Sequence, residues 1–367
     1  MSIYIHQLAD WPAFNWAEGS LTGLLNEVKQ KQTHLLGRME GLGFSLQIEA
    51  SLQTLTLDVI KSCEIEGEIL NPNQVRSSVA RRLGIDIAGL VSADRHVEGV
   101  VEMMLDATQQ YQNLLSAERL FSWHAALFPT GRSGMQKIAV GYWRSNLKND
   151  PMQVVSGAMG KEKIHYQAPD ADLLPDEMNA FIKWFNTENK SDPLIKAGIA
   201  HFWFVTIHPF DDGNGRIARA ITDMQLARAD GSNLRFYSMS AQIRKERNAY
   251  YAILEQTQKG NLDITNWLEW FLHCLDRALV ATDEVLAAVM QKARFWKTHA
   301  MAILNERQRT MLNKLLDGFD GKLTSSKWAK ITKSSSDTAL RDINDLVQKK
   351  ILIKDEAGGR STGYLLK

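Results

Sequence analysis

Cysteine is nearly absent from this sequence. Cys63 and Cys274 are the only two in 367 residues, too few for a disulfide framework, and the expected location is the cytoplasm. Histidine is sparse: nine residues, scattered, with no spacing that suits a zinc site. No run of eighteen apolar residues occurs, so no membrane-spanning helix and no membrane partner are expected. The opening MSIYIHQLADWPAFNW reads as neither a signal peptide nor a transit peptide. Proline is scarce, with eight residues, and no repeat or low-complexity tract interrupts the chain. An excess of one charge is also missing. The formal net charge is +1 with 23% charged residues, so bulk electrostatics select no partner. What is left is a chain long enough for two or three domains and a sizeable core.

The most informative stretch is His208-Pro209-Phe210-Asp211-Asp212-Gly213-Asn214-Gly215-Arg216-Ile217-Ala218-Arg219. The apolar run Ile195 to Ile207 before it is long enough for a buried helix. Pro209 biases His208 out of the α region, so that helix is expected to stop there. Phe210 is an apolar plug that can hold the loop on the core. Gly213-Asn214-Gly215 permits a tight turn with positive φ. From Arg216 a new helix is expected, because Ile217, Ala220, Ile221, Met224 and Ala227 recur at helical spacing.

A glycine turn feeding a helix N-terminus is an anion site, since free N–H groups and the positive dipole end face the ligand. Arg216 and Arg219, three apart, share a helix face and can both reach phosphate oxygens. Asp212 is a hard oxygen ligand beside the turn, where Mg²⁺ would bridge carboxylate and phosphate. The metal expectation rests on this residue alone. His208 can take a proton from an attacking hydroxyl. A base, a metal ligand, a cradle and two cations are what transfer of a phosphorus-linked group needs. Taken singly, each feature fits an ordinary helix–loop–helix corner; all of them within twelve residues point to chemistry.

HPFDDGNGRIAR resembles the Fic family signature, His-Pro-Phe-x-(Asp/Glu)-Gly-Asn-Gly-Arg-x-x-Arg, at every defined position. The resemblance implies a mainly α fold with a small β-hairpin flap. It also implies transfer of AMP from ATP to a Ser, Thr or Tyr hydroxyl of a target protein. By position, His208 is implied as general base and Asp212 as Mg²⁺ ligand. Gly213, Asn214 and Gly215 are implied as the anion cradle, with Arg216 and Arg219 on the β- and γ-phosphates.

Residues 1–90 read as an N-terminal helical domain, similar to one found on a subset of Fic proteins. Leu21 to Met39 is amphipathic, with Leu24, Leu25, Val28, Leu35 and Leu36 on its apolar face. A second helix is expected from Gln47 to about Cys63, with Pro72 closing the segment. Ser62-Cys63-Glu64-Ile65-Glu66-Gly67 matches the family's inhibitory pattern, (Ser/Thr)-x-x-x-Glu-(Gly/Asn). That implies Ser62, Glu66 and Gly67 as an inhibitory helix end, with Glu66 on Arg219 in the γ-phosphate's place. The plain alternative is a glycine-ended helix with solvated carboxylates.

Residues 91–295 read as the catalytic core. Helices are expected over Asp94 to Leu115 and Ala117 to Leu127, and Pro129 to Gly134 breaks the pattern. Ile138 to Arg144 alternates like a short strand, and Gly141-Tyr142-Trp143-Arg144 resembles a landmark of the Fic core. Gln153-Val154-Val155-Ser156-Gly157 and Ile164-His165-Tyr166 read as a β-hairpin. In the family such a hairpin is the flap that aligns the acceptor as an added strand. The resemblance therefore puts Val154, Val155, Ser156 and Gly157 beside the nucleotide; the alternative is a plain surface hairpin. Asp176 to Asn186 and Pro193 to Ile207 are helices leading into the motif. Ile243 to Gln258 is helical, and its adjacent Tyr250 and Tyr251 cannot share a face. One is expected in the core, leaving the other to contact adenine or ribose. The resemblance places Tyr250, Tyr251 and Gln258 against the nucleoside, although the family often has Asn where Gln258 stands. Asn266 to Val289 is amphipathic around Trp267, Trp270, Phe271 and Leu275.

Residues 300–367 read as a separate module with helices over Asn305 to Leu316, Ser325 to Thr332 and Ser336 to Lys349. Ile351 to Lys354 and Gly363 to Leu366 flank a polar turn, so the module resembles a winged helix, with Ser336-Asp337 as N-cap of a recognition helix. It is basic, with 13 Lys and Arg against 8 Asp and Glu, which suits DNA phosphates. Many winged helices instead bind protein or dimerise. Gly359-Arg360-Ser361-Thr362-Gly363 has a hydrolase nucleophile pattern but lacks the following helix. Gly157-Ala158-Met159-Gly160-Lys161 lacks P-loop spacing.

Three functions compete. The first is a Mg²⁺-dependent protein adenylyltransferase held off by Glu66. The second is removal of AMP from a modified protein, with Glu66 orienting a water. The third is a DNA-bound regulator with a nucleotide-sensing core. Fic relatives that transfer phosphate or phosphocholine usually depart from the motif, and this chain does not. The partners expected are ATP, a target protein, a second copy of the chain in a homodimer, and DNA through residues 300–367.

Overall fold

The computed structural model describes residues 4–85, 90–147, 150–157, 161–188, 191–319, 321–355 and 362–367. The fold is mainly α with three two-stranded antiparallel ribbons among the described residues. Two compact units are present. One holds the described residues of Met1–Gly84 and Ser92–Asp283, the other those of Ile85–Val91 and Glu284–Lys367.

In the first unit, α7 (Pro193–Ile207) is the centre. Every residue after Pro193 is buried, including the polar Lys196, His201 and Thr206, as expected of a mostly apolar helix. Its partner α8 (Asn214–Asp230) is buried through Ala227 apart from Gly215, and packs along α7. Gly198 lets α7 approach α11 (Thr265–Thr298) closely. A β-carbon there would sit 3.0 Å from Leu268 and 3.1 Å from Phe271, and Trp267 Nε1 donates to the Gly198 carbonyl at 2.8 Å. Around this pair lie α4 (Arg95–Gln109), α5 (Ala117–Leu127) and α6 (Leu174–Asn186). Each large apolar side chain buried here contributes about 1.5–3 kcal/mol.

The N-terminal helices dock on the same unit. α1 (Glu18–Glu40) buries Leu21, Val28, Leu35 and Met39 along one stripe. α2 (Phe44–Ile65) buries half of its residues, including Leu52, Leu55, Val59 and Cys63. Pro72 does not close the segment; it opens a third helix, α3 (Pro72–Arg82). Asn71 caps that helix through its side chain, and proline at the first position loses no intrahelical bond.

Three other expectations change. Ile138 to Arg144 is not a strand, because its backbone is held by the motif loop instead of by a neighbouring strand. The short ribbon lies just before it, β1 (Arg132–Ser133) with β2 (Gln136–Lys137). The helix from Asp94 ends at Gln109 instead of Leu115. The helix expected over Ile243 to Gln258 is two, α9 (Met239–Lys245) and α10 (Arg247–Gln258), broken at Glu246. The flap hairpin pairs β3 (Gln153–Ser156) with β4 (Lys163–Gln167), with an irregularity between Val154 and Val155. Its turn residues 158–160, with most of the P-loop lookalike, lie outside the described residues.

In the second unit, α12 (Glu306–Leu316), α13 (Ser325–Thr332) and α14 (Ser336–Gln348) precede an antiparallel ribbon, β5 (Leu352–Asp355) with β6 (Gly363–Leu366). Met311, Leu312, Trp328, Ile343, Leu346 and Leu352 form its own core. The cap of α14 is Ser335, one residue before the expected Ser336. Residues 359–361 of the nucleophile lookalike lie outside the described residues.

Candidate active site

The loop His208–Gly213 joins the C-terminus of α7 to the N-terminus of α8. His208 ends α7 in the left-handed region, at φ 52° and ψ 57°, and not in the extended form favoured before proline. That conformation is uncommon for a residue with a β-carbon. Arg144, 2% exposed, holds it. Its Nε donates to the His208 carbonyl at 2.8 Å, and its backbone N–H donates to Pro209 O at 2.9 Å. Ring atom Nδ1 of His208 lies 3.2 Å from Val205 O. A carbonyl can only accept, so Nδ1 carries the proton and Nε2 presents its lone pair. Burial pushes the pKa down to about 4, with the Val205 contact opposing it and the Arg144 charge adding to it. The imidazole is therefore neutral at pH 7.

Two further residues fix the loop. Phe210 is fully buried and stacks on His124, with centroids 4.2 Å apart. Asn214 clasps the Phe210 backbone from both sides, accepting from its N–H at 3.0 Å and donating to its carbonyl at 2.8 Å. Its side chain is thereby committed to the loop, and only its backbone N–H is left for a ligand. His124 Nδ1 accepts from Gly141 N–H at 3.2 Å, so its Nε2 donates to Asp212 O at 3.2 Å.

The two aspartates divide. Asp211 turns away and accepts from Ala139 N–H at 2.8 Å. Asp212 stays at the turn, with its side chain 45% exposed. One of its oxygens takes Gly213 N–H at 2.5 Å, and the other takes the Ser133 hydroxyl.

Gly213 is the N-cap of α8 at φ 83°, where a β-carbon would also strike Phe128. Helical bonding begins with Ile217 N–H to Gly213 O at 3.0 Å. The N–H groups of Asn214, Gly215 and Arg216 thus precede the first intrahelical bond and face outward at the positive dipole end.

Arg216 and Arg219 are each 1% exposed. The guanidinium of Arg216 lies over Phe128, 5.0 Å from the centroid, and 3.9 Å from Asp212. Arg219 donates through Nε to Ser62 Oγ at 2.9 Å and through Nη2 to Ser62 O at 2.8 Å. Arg216 Nε and Arg219 Nη1 are buried without a hydrogen-bond partner among the described residues. Glu66, the C-cap of α2, reaches Arg219 Nη2 with Oε1 at 2.8 Å. Burial works against the charge of Arg219, but Glu66 and the nearby tyrosines outweigh it and hold its pKa above the usual arginine value.

The nucleoside candidates differ from one another. Tyr250 is buried, with its hydroxyl 2.8 Å from His201 Nε2. Tyr251 is 37% exposed and lies under Arg247, whose guanidinium is 5.2 Å from the ring centroid. Gln258 is buried and donates to Thr206 Oγ1 at 3.3 Å. In the flap, Val154 pairs with Tyr166 and Val155 with Ile164. Gly157, the residue after β3, is at φ 110°. Ser156 Oγ lies 2.5 Å from His165 Nε2, and His165 Nδ1 lies 2.5 Å from Glu255 Oε2, tying the flap to α10.

Sequence reading missed four residues that shape the site: Arg144, His124, Ser133 and Glu68. Arg144 sat in the landmark Gly141 to Arg144. His124 and Ser133 carry no local pattern. Glu68, two residues beyond Glu66, ion-pairs with Arg216 at 2.8 Å.

The Fic/DOC family profile matches residues 114–226, and a profile for a domain of unknown function (DUF4172) matches residues 4–85. Similar curated proteins include protein adenylyltransferase Fic of Drosophila yakuba and of Drosophila melanogaster. They are 26% and 27% identical over 232 residues, which is 60% of this chain and 40% of theirs. The chain thus matches well under half the length of these relatives. Two solved structures share the fold, each at 19% identity. A Fic family protein from Desulfovibrio desulfuricans has a TM-score of 0.53, covering 96% of this chain and 97% of its own. A Fic domain containing signaling protein from Bacteroides thetaiotaomicron has a TM-score of 0.52, covering 71% and 97%.

Proposed function

We propose that this chain, whose residues 114–226 are a Fic/DOC family domain, is a protein adenylyltransferase that moves AMP from ATP to a hydroxyl of a target protein. The observation that carries the reading is the paired buried arginines beside the outward N–H groups of α8, within one loop of a neutral His208. Such a cradle is built for a polyanion, and buried guanidinium groups with unused N–H donors suit phosphate oxygens.

In this reading the acceptor O–H gives its proton to His208 Nε2. Its oxygen attacks the α-phosphorus, and the bond to the β-phosphate oxygen breaks to release pyrophosphate. Arg216, Arg219 and the α8 N-terminus hold the leaving phosphates. Asp212 suits Mg²⁺, since it offers a partly exposed carboxylate with Ser133 beside it, and the remaining ligands can be phosphate oxygens and water. Bound there, the ion would neutralise charge on the phosphates. Tyr250, Tyr251 and Gln258 are assigned to the nucleoside side and the flap to the acceptor side.

Glu66 holds this site off in the resting chain, because its carboxylate sits on Arg219 and in front of Gly215. The test is the intact mass of the Glu66→Gly protein after incubation with ATP and Mg²⁺. A gain of one AMP supports the reading; a gain of one phosphate, or no change, overturns it.

A second reading, hydrolytic removal of AMP, is favoured by one observation. Glu68 and Glu66 engage Arg216 and Arg219, and among the described residues neither carboxylate hydrogen-bonds to His208 or Asp212. DNA contact has weaker support. Helix α14, the one that would enter a groove, carries Asp337, Asp342 and Asp345 against Arg341 alone.

A further inference from the structure

Helix α2 ends in a Schellman turn. Glu68 N–H donates to Cys63 O at 3.0 Å, and Gly67 N–H donates to Glu64 O at 3.2 Å, with Gly67 at φ 86°. Within a continued helix, residues 66 and 68 would diverge by about 200° around the axis. The left-handed glycine cancels that divergence, and both carboxylates meet the first turns of α8. Glu66 takes Arg219, and Glu68 takes Arg216 Nη1 at 2.8 Å.

The Glu68 contact is itself supported. The same oxygen lies 3.2 Å from His96 Nε2, on α4. Beside it is a cavity of about 290 Å³ lined by Glu68, His96, Phe128, Arg132 and Ser133. The carboxylate therefore has a tether that keeps it on Arg216 and a space into which it can withdraw. Arg216 cannot withdraw: it is buried under Phe128 in the first turn of the helix. With Glu68 withdrawn, Arg216 keeps only the partly exposed Asp212 carboxylate at 3.9 Å, so an incoming anion is favoured in the place of Glu68.

We propose that Glu68 is a second gate carboxylate, occupying Arg216 as Glu66 occupies Arg219, so that the resting site admits a nucleoside monophosphate and admits a triphosphate only when both carboxylates have left. The proposal rests on the adenylyltransferase reading of His208 to Arg219. It deepens that reading by making Glu68 a determinant of which nucleotide binds. The α-phosphate needs neither arginine, so AMP is insensitive to the gate. The β- and γ-phosphates need both, and they meet two negative charges where they must sit. His96 is a positioning residue, acting only through Glu68.

The test is the Kd of ATP and of AMP, each with Mg²⁺, for the unaltered chain and for Glu66→Gly, Glu68→Gln and the double variant. Glu68→Gln added to Glu66→Gly should tighten ATP by about tenfold, the share expected of one charge-assisted contact, and leave AMP within about twofold. His96→Leu keeps Glu68 but removes its tether, and should tighten ATP by about two- to fivefold with AMP unmoved. ATP binding by Glu66→Gly that Glu68→Gln does not improve would sink the second gate while leaving the ATP site intact. Equal tightening of ATP and AMP would also overturn it, since Glu68 would then shape the whole site. If no variant binds ATP, the ATP reading fails and the proposal falls with it. Should Glu68→Gln lose its cooperative melting transition, His96→Leu decides: selective tightening of ATP supports the gate, and unchanged ATP affinity overturns it.

Discussion

The carboxylate of Glu66 occupies the space in front of Gly215. A β-carbon on that glycine would collide with Oε1 of Glu66 and would lie 3.2 Å from Arg219 Nη1. The missing side chain of one residue is thus the seat of another's charge, at the N-terminus of α8. Paired with Arg219 at 2.8 Å, this carboxylate lies where the proposed function puts a phosphate of ATP.

Replacing Glu66 with Gly should therefore release the site. A charge-assisted contact contributes about 1.5–3 kcal/mol, or one to two decades in an equilibrium. Self-modification with ATP should rise at least about tenfold on that figure. Glu66→Asp, one methylene shorter, should release it in part. Arg219→Ala should not, because it removes the phosphate's partner along with the inhibitor's. AMP incorporation for all three at one ATP concentration decides the matter, and a Glu66→Gly protein no more active than the unaltered chain overturns the gate.

Gly215→Ala should weaken both occupants. The added methyl displaces Glu66, yet it fills the same space against phosphate. In the Glu66→Gly background it should lower ATP affinity by about tenfold or more, the cost of pushing a ligand off its donors. Unchanged affinity in a titration calorimeter would mean that the phosphates do not approach Gly215.

His208→Ala should abolish transfer and leave ATP binding largely intact, since the imidazole is assigned to the proton and the cradle to the nucleotide. The pH profile carries a second check. With the folded pKa lowered to about 4, the base-competent neutral form persists as pH falls below the ordinary histidine value. Single-turnover transfer by Glu66→Gly should hold its rate from pH 8 to about 6 and fall only on approach to the lowered pKa. A decline centred near 6.5 would contradict burial as the controlling cause.

Asp212 and Asp211 should fail differently. Asp212→Ala should lose stimulation by Mg²⁺ with little change in melting temperature, as its carboxylate is partly exposed at the turn. Asp211→Ala removes the acceptor of the half-buried Ala139 N–H and should cost about 0.5–1.5 kcal/mol of stability in denaturant unfolding. The larger loss of Mg²⁺ response in Asp211→Ala would move the ligand assignment to that residue.

Much of the site is written locally. His208 to Arg219 declares a helix end, a turn and a helix start within twelve residues, because those features depend on near neighbours and on where glycine and proline fall. The buried α7 is legible as a mostly apolar run, and the flap hairpin as two β-rich segments around glycine. Local patterns also misled. Alternation over Ile138 to Arg144 suggested a strand, but a strand needs a neighbour, and this segment's backbone bonds to Asp211 and Pro209 instead. Pro72 reads as a stop, yet Asn71 before it makes it a helix start.

The family resemblance implied that Glu66 meets Arg219; only tertiary structure decided the other charged contacts. Glu66 and Arg219 are 153 positions apart, Glu68 and Arg216 148, and Arg144 and His208 64. No periodicity spans such distances. The sequence determined that two arginines lie on one face of α8 and that a glycine ends α2. The packing of α2 against the start of α8, with the left-handed turn at Gly67, decided that both carboxylates enter the same cradle. The physical reason is burial. Two guanidinium groups sealed under α2 and Phe128 need counter-charges, and the fold supplies them from the helix end that covers the site.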